Sequence, residues 1–205
     1  MLFRSMLDAM KGIEISHLVN ISSDAVYGDE PVPLTEGAPT APGSLHGAMH
    51  LAREIAFASS GIAPLAILRP TLVYGDADPH NGYGPNRFIR QSRAGEPIAL
   101  FGNGEERRDH VSVDDVAEIV ARVVLRRSVG TLNVASGEVY SFADAANLAI
   151  AATGSKSRLV PSPRTGPMPH NGYRPFDIAA LKGAFPDLVP VRLPAGIRAM
   201  AGTHK

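Results

Sequence analysis

The chain has 205 residues, 44% hydrophobic and 20% charged, with 20 basic residues balanced by 20 acidic ones and no cysteine. That excludes a disulfide scaffold, a Cys-ligated zinc site, a thiol nucleophile and a nucleic-acid binder working through bulk charge. No apolar run is long enough to span a bilayer and the first residues lack the features of a secretory signal, so a cytoplasmic protein without nucleic-acid or membrane partners is expected.

In chain order, residues 2–10 carry apolar side chains at helical spacing, although no cap precedes them. Residues 15–22 read as a short buried strand. Four prolines make 31–42 a loop. A helix spans 44–60, capped by Ser44 and closed by Gly61. A strand at 65–69 precedes a Gly/Asp/Asn-rich loop at 74–85. A helix at 86–94 follows, closed by Gly95, and then a strand at 98–101. A helix at 114–126 is capped by Ser112 or Asp114, with acidic residues in its first turn and Arg126 and Arg127 at its end, as the macrodipole favours. A strand at 131–135 and a helix at 141–152 capped by Ser141 come next. Residues 158–173 are proline-rich and read as irregular, before short helices at 178–184 and 194–200. Strands alternating with helices predict an α/β protein with a parallel sheet.

The first strand runs into Ile21-Ser22-Ser23-Asp24-Ala25-Val26-Tyr27-Gly28. The carboxyl ends of parallel strands face the ligand crevice, where hydroxyls bind a substrate oxygen or relay a proton. Read locally, Ser22 and Ser23 serve equally well as turn caps. Further on come Pro33-Leu34-Thr35-Glu36, Pro42-Gly43-Ser44 and Leu68-Arg69-Pro70-Thr71-Leu72-Val73-Tyr74-Gly75. These are followed by Gly95-Glu96-Pro97-Ile98, Gly102-Asn103-Gly104, Arg108-Asp109-His110-Val111-Ser112-Val113-Asp114-Asp115, Leu132-Asn133-Val134-Ala135-Ser136-Gly137 and Phe176-Asp177. In this order the segments resemble the extended short-chain dehydrogenase/reductases, within them the NAD-dependent epimerase/dehydratase group acting on nucleotide sugars.

The resemblance implies an α/β fold made of the C-terminal half of a Rossmann-like parallel sheet plus a small α/β substrate-binding lobe. Residues 1–81 would be a partial NAD(P)-binding region and 82–205 mainly the substrate lobe, with 112–135 returning to the sheet. It also implies NAD or NADP as cofactor and a nucleotide sugar as ligand. The family's Gly-rich phosphate loop, which brings backbone N–H groups to the pyrophosphate, has no counterpart here. The expectation is therefore a truncated reading frame or a fragment with a complementing N-terminal half, with a homodimer as the other assembly. Relatives carry a Tyr and a Lys four residues apart on one helix face, the lysine lowering the phenol pKa. His46 and His50 stand at those positions, and Ser23 matches the family's hydroxyl donor.

Three readings of the histidine pair stay open. His46 replaces the tyrosine as acid/base, needing no activating lysine because imidazole titrates near neutrality. Alternatively, the site is catalytically silent and the protein only binds. In the third, His46, His50 and Glu54 hold a metal along one helix face. Of these, the resemblance favours Ser23, His46 and His50 as the catalytic residues, with no metal. Ser22, Pro70, Thr71, Leu72 and Val73 fall at the family's cofactor-binding positions, the 70–73 stretch working through backbone atoms. Leu72 stands where many relatives carry a diphosphate-binding asparagine. Asp24 and Arg108 are the expected substrate-binding residues, Arg108 matching the diphosphate clamp with its bidentate fork. The bland alternative is an Arg108 ion pair with Asp109 or Asp114. Arg164 or Arg174 would supply a second phosphate contact. Dehydration needs an Asp–Glu pair after the serine, and Ala25 cannot act as the second carboxylate, so epimerase- or reductase-like chemistry is favoured. Asp114 and Asp115 read as helix caps, Asn133 as a loop-orienting residue, and Tyr27 and Tyr74 as packing at the rim of the core.

Overall fold

The computed structural model describes residues 2–78 and 84–202. Part of the Gly/Asp/Asn-rich loop, and with it the expected lobe boundary, lies outside the described residues, as do the side chains of residues 2–4 in the first helix.

The elements run α1 (Leu2–Met10), β1 (Leu18–Ile21), α2 (Leu45–Ser60), β2 (Leu65–Pro70), β3 (Leu72–Tyr74), α3 (Gly84–Arg93), β4 (Ile98–Phe101) and β5 (Arg107–Ser112). They continue α4 (Val113–Arg126), β6 (Gly130–Val134), β7 (Val139–Ser141), α5 (Phe142–Thr153), β8 (Leu159–Ser162), β9 (Tyr173–Arg174), α6 (Ala179–Ala184) and α7 (Leu193–Gly202). The expected α/β fold is what the chain adopts. One sheet is wholly parallel in the order β1-β2-β6, with helical crossovers between its strands. Among the described residues, β1 pairs with β2 alone.

A second sheet is built around β5, which pairs parallel with β3 and β9 and antiparallel with β7. A parallel β4–β8 pair completes the strands. Strands β3, β5, β7, β8 and β9 were not expected from the sequence. They are short, and β5 reads Arg-Arg-Asp-His-Val-Ser, a polar string that burial converts into a strand only because partners satisfy it.

The helix caps follow their chemistry. The Ser141 Oγ accepts from the Asp144 N–H at 2.9 Å and the Asp144 carboxylate accepts from the Ser141 N–H at 3.0 Å, a reciprocal capping box. Ser112 rather than Asp114 caps α4, accepting from the Asp114 N–H at 3.2 Å, while Asp115 reaches back to accept from the Val191 N–H at 2.8 Å. Three buried clusters hold the molecule. Ala66, Leu68, Ile119, Val123, Leu181 and Phe185 pack helices against the parallel sheet. Phe88, Ile98, Leu100 and Ile197 pack α3, α5 and α7, where Ala145, Ala146 and Ala149 let α5 come close. Val26, Tyr27, Leu34, Ala135 and Phe176 lie beneath the turn that follows β1.

Candidate functional site

β1 ends in that turn. Ser23, in extended backbone, caps a single 3-10 turn at Asp24–Val26, its Oγ accepting from the Ala25 N–H at 3.1 Å. Ser22 points the other way and donates to the buried Glu54 carboxylate. Glu54 takes a two-pronged contact from Arg69, Nε at 3.0 Å and Nη2 at 2.6 Å. Arg69 also donates to the Tyr27 hydroxyl at 2.9 Å, which donates to Asn133 Oδ1 at 2.6 Å. Tyr27 and Asn133 thus belong to one buried polar network that fixes the serine turn over the sheet, more than rim packing.

α2 is brought against this turn by Gly47, where a Cβ would lie 2.0 Å from the Ala25 carbonyl oxygen. That approach places His46 beside Ser23 on the wall of a cleft of about 650 Å³. His46 is exposed and meets His50 edge-on, ring centroids 4.6 Å apart. His50 has its Nδ1 2.9 Å from Arg53 Nη2 and accepts from it. Burial, then the Arg53 charge and His46, push the His50 pKa below the usual imidazole value. Glu54, the third member of the metal reading, has both oxygens engaged by Arg69 and Ser22. Among the described residues no group of three His, Cys, Asp or Glu could hold a metal ion.

Ser23, Asp24, His46, Thr71, Leu72, Val73 and Arg108 all line this cleft. Ser22 and Pro70 are buried next to it and His50 stands behind His46, none of them on its wall. Arg108 does not pair with Asp109 or Asp114. Its Nη2 lies 3.4 Å from Asp24 and its Nη1 3.3 Å from Glu106. Strand alternation is the reason: neighbouring side chains of β5 point to opposite faces. Asp109 therefore turns inward, accepting from the Thr71 hydroxyl at 3.0 Å and from the Ser136 and Gly137 N–H groups at 2.9 and 2.7 Å. Burial pushes its carboxyl pKa up despite these donors. With its hydroxyl so engaged and its N–H donating to the Val134 carbonyl at 3.1 Å, Thr71 presents no free side-chain donor to the cleft.

Arg174 is 1% exposed. It donates to the Asp24 carboxylate (3.0 Å), the Asp24 carbonyl (2.6 Å) and Asp29 (3.0 Å). Arg164 pairs with Glu106 at 3.6 Å and borders a second, smaller pocket of about 220 Å³ whose walls include Phe88, Phe101 and Phe142. Arg108 lines both pockets. His170, which the sequence did not single out, also lines the main cleft, its Nδ1 2.6 Å from Asp29.

The model of the NAD dependent epimerase/dehydratase family matches residues 1–135. The chain belongs to this family. Its similarity to other epimerase/dehydratase proteins includes the dTDP-L-rhamnose 4-epimerase of Burkholderia thailandensis, 28% identical over 184 residues, covering 70% of this chain and 51% of that protein. It also includes an uncharacterized UDP-glucose epimerase of Bacillus subtilis, 28% identical over 175 residues, covering 82% of this chain and 54% of that one. The chain thus spans about half the length of these relatives. Among solved structures, the UDP-glucuronic acid 4-epimerase of Bacillus cereus, in complex with UDP-glucuronic acid and NAD, matches with a TM-score of 0.87 at 22% identity, over 98% of this chain and 65% of that one. The UDP-glucose 4-epimerase of Thermus thermophilus, in complex with NAD, matches at 0.83 and 27% identity, over 97% and 67%. No helix of the described residues is long and apolar enough to cross a membrane.

Proposed function

We propose that this epimerase/dehydratase chain carries the substrate side and the nicotinamide-facing edge of an NAD- or NADP-dependent enzyme acting by hydride transfer at a hydroxyl-bearing carbon of a nucleotide sugar. The observation that carries this reading is the convergence of Ser23, His46 and Arg108 on one cleft. In this assignment residues 1–81, with 112–135 returning to the sheet, form the cofactor side, and 82–205 form mainly the substrate side, in a cytoplasmic protein.

Thr71, Leu72 and Val73 on the cleft wall, above buried Ser22 and Pro70, fit the nicotinamide end of the cofactor. The sequence offers no Gly-rich loop for its pyrophosphate, which a complementing N-terminal half, or a partner copy in a homodimer, would supply. NAD(P), when bound, supplies the hydride acceptor. Ser23, whose Oγ accepts from the Ala25 N–H, turns its hydrogen from the long 3.4 Å contact with Asp24 to a substrate oxygen. His46 takes the hydroxyl proton. Arg108 grips the diphosphate, its fork steadied by Asp24 and Glu106, and the aromatic pocket on its far side takes the base by stacking. Ala25 leaves the turn without a second carboxylate and Asp24 is committed to two guanidinium groups, so epimerisation or reduction is favoured over loss of water.

Binding without turnover is the second reading. It draws on the neighbour of His46 being another imidazole rather than a carboxylate that would orient it. Calorimetry with UDP-glucose tests the shared part: binding that falls at least tenfold in Arg108→Ala supports it, and no binding by the native chain overturns it. Hydride transfer from UDP-glucose to NAD, followed by absorbance, then separates the enzyme from the silent binder.

A further inference from the structure

A diphosphate is doubly charged, and Arg108 supplies the cleft with one guanidinium. The sequence pointed to Arg164 or Arg174 for the second contact. Arg174 is buried and wholly engaged by Asp24, Asp29 and the Gly28 carbonyl. Arg164 faces the smaller pocket, tied to Glu106 and to the Phe101 carbonyl. The cationic candidate that the C-terminal turn delivers to the main cleft is His170.

We propose that His170 is the second anion-binding group of this cleft: its Nδ1 rests on the Asp29 carboxylate and its Nε2 donates to the diphosphate gripped by Arg108, so that a nucleotide sugar binds together with a proton. This rests on the reading of the cleft as a nucleotide-sugar site and deepens it.

The local structure is built to hold the ring. His170 and Asn171 both adopt left-handed backbone, φ 52° and 50°, ahead of Gly172 at φ 80°. Non-glycine residues in that region are uncommon and persist only where surrounding contacts over-determine them. Here the holding contact is Asp29, which accepts from Nδ1–H at 2.6 Å; Arg174 Nη1 lies 2.9 Å from the same nitrogen as a facing charge, since Nδ1 cannot accept from it while donating to Asp29. Asp29 also accepts from Arg174 at 3.0 Å, so a single carboxylate anchors the turn. With Nδ1 donating to Asp29, Nε2 is the nitrogen left for a ligand. The side chain is 26% exposed, partly desolvated while still reachable from the cleft.

The charges that face this ring are Arg108, Arg174 and Asp29, with Asp24 behind the two arginines. Burial and then the Arg108 charge hold the His170 pKa below its ordinary value. The ring is therefore neutral in the free protein at pH 7. A diphosphate arriving between Arg108 and His170 reverses the local field, raises that pKa and draws a proton onto Nε2, while Asp29 stabilises the imidazolium. By linkage, affinity is highest on the acid side and declines as pH rises through the pKa of the complex.

UDP-glucose is a suitable probe because its diphosphate diester does not titrate near neutrality. Calorimetry of its binding to the native chain, in buffers of different ionisation enthalpy between pH 6 and 8, should show net proton uptake. His170→Asn tolerates left-handed backbone and cannot titrate; it should abolish the uptake and weaken binding by about tenfold at pH 6. Asp29→Asn, on the exposed side of the turn, should reduce the uptake while leaving the ring in place. Binding without proton uptake, or uptake unchanged in His170→Asn, would overturn the role of His170 while leaving the cleft assignment standing. Failure of the native chain to bind UDP-glucose at all would remove the assignment of the cleft and this inference with it.

Discussion

His110 lies fully buried in β5, its Nδ1–H donating to the Arg108 carbonyl at 3.0 Å and its ring edge-on to Phe142 at 5.8 Å. Its Nε2 has no hydrogen-bond partner among the described residues. Burial, reinforced by the Arg108 charge, pushes its pKa down to about 4. An unfolded histidine titrates at about 6.5. The folded chain therefore refuses a proton that the unfolded chain accepts. Stability from this group is complete above pH 6.5 and is lost as pH falls toward 4, by about 3 kcal/mol in all. In His110→Phe that acid-sensitive component should vanish from the pH dependence of the urea midpoint; a slope identical to the native chain's would show that another group drives it. The histidine pair of α2 carries a separate expectation. His46→Tyr with His50→Lys sets a phenol and an ammonium one turn apart on α2. The introduced phenol should titrate below the ordinary value of about 10 by ultraviolet difference absorbance, and lower than in the His46→Tyr single change.

Much of α2, α4 and α5 was legible in sequence because their caps act locally: Ser44, Ser112 and Ser141 each accept from an N–H two or three residues ahead. Strand β5 was not legible, because its acceptability depends on partners far along the chain. Asp109 is satisfied by residues 27 and 28 positions later, and β7 and β9 pair with β5 across long sequence separations. The site divides in the same way. Ser23, His46 and Arg108 could be read from motif order, whereas His170 depends on a left-handed turn tied to Asp29, 141 residues upstream. The approach of α2 to the serine turn is the element-scale feature most open to test. Alanine normally gains up to about 1 kcal/mol over glycine inside a helix. In Gly47→Ala the new methyl would meet the Ala25 carbonyl at 2.0 Å, and backbone cannot swing aside as a flexible side chain would. A net destabilisation of about 1–3 kcal/mol is expected, with His46 displaced from Ser23. Gly183→Ala in α6, where nothing lies within 4 Å of the added atom, should instead be stabilising. A stabilising shift of Gly47→Ala in thermal unfolding, like that expected of Gly183→Ala, would mean that α2 is free to move.

At the scale of the whole molecule, the cleft exists because two sheets are pinned edge to edge, and Asp109 is the pin. It projects from the middle of the β5 sheet and takes hydrogen bonds from Thr71, where β2 hands over to β3, and from Ser136 and Gly137, just past the end of β6. The carboxyl ends of two strands of the parallel sheet are thereby fastened to the strand that carries Arg108 on its other face. Removing the carboxylate leaves two backbone N–H groups and one hydroxyl facing a cavity in a region where water is scarce, since Asp109 itself is 1% exposed. Each stranded donor costs about 1–3 kcal/mol. Asp109→Ala should therefore lose about 4 kcal/mol, well above an ordinary surface substitution. Asp109→Asn keeps the volume and one acceptor oxygen, and should lose less. The urea midpoint measures both. If the sheets are pinned here, UDP-glucose affinity should fall in parallel with stability, because Arg108 and Thr71 would no longer share a fixed floor. Stability lost with affinity intact would mean that the cleft is held by the Asp24–Arg108–Arg174 knot alone, and that Asp109 serves only the packing beneath it.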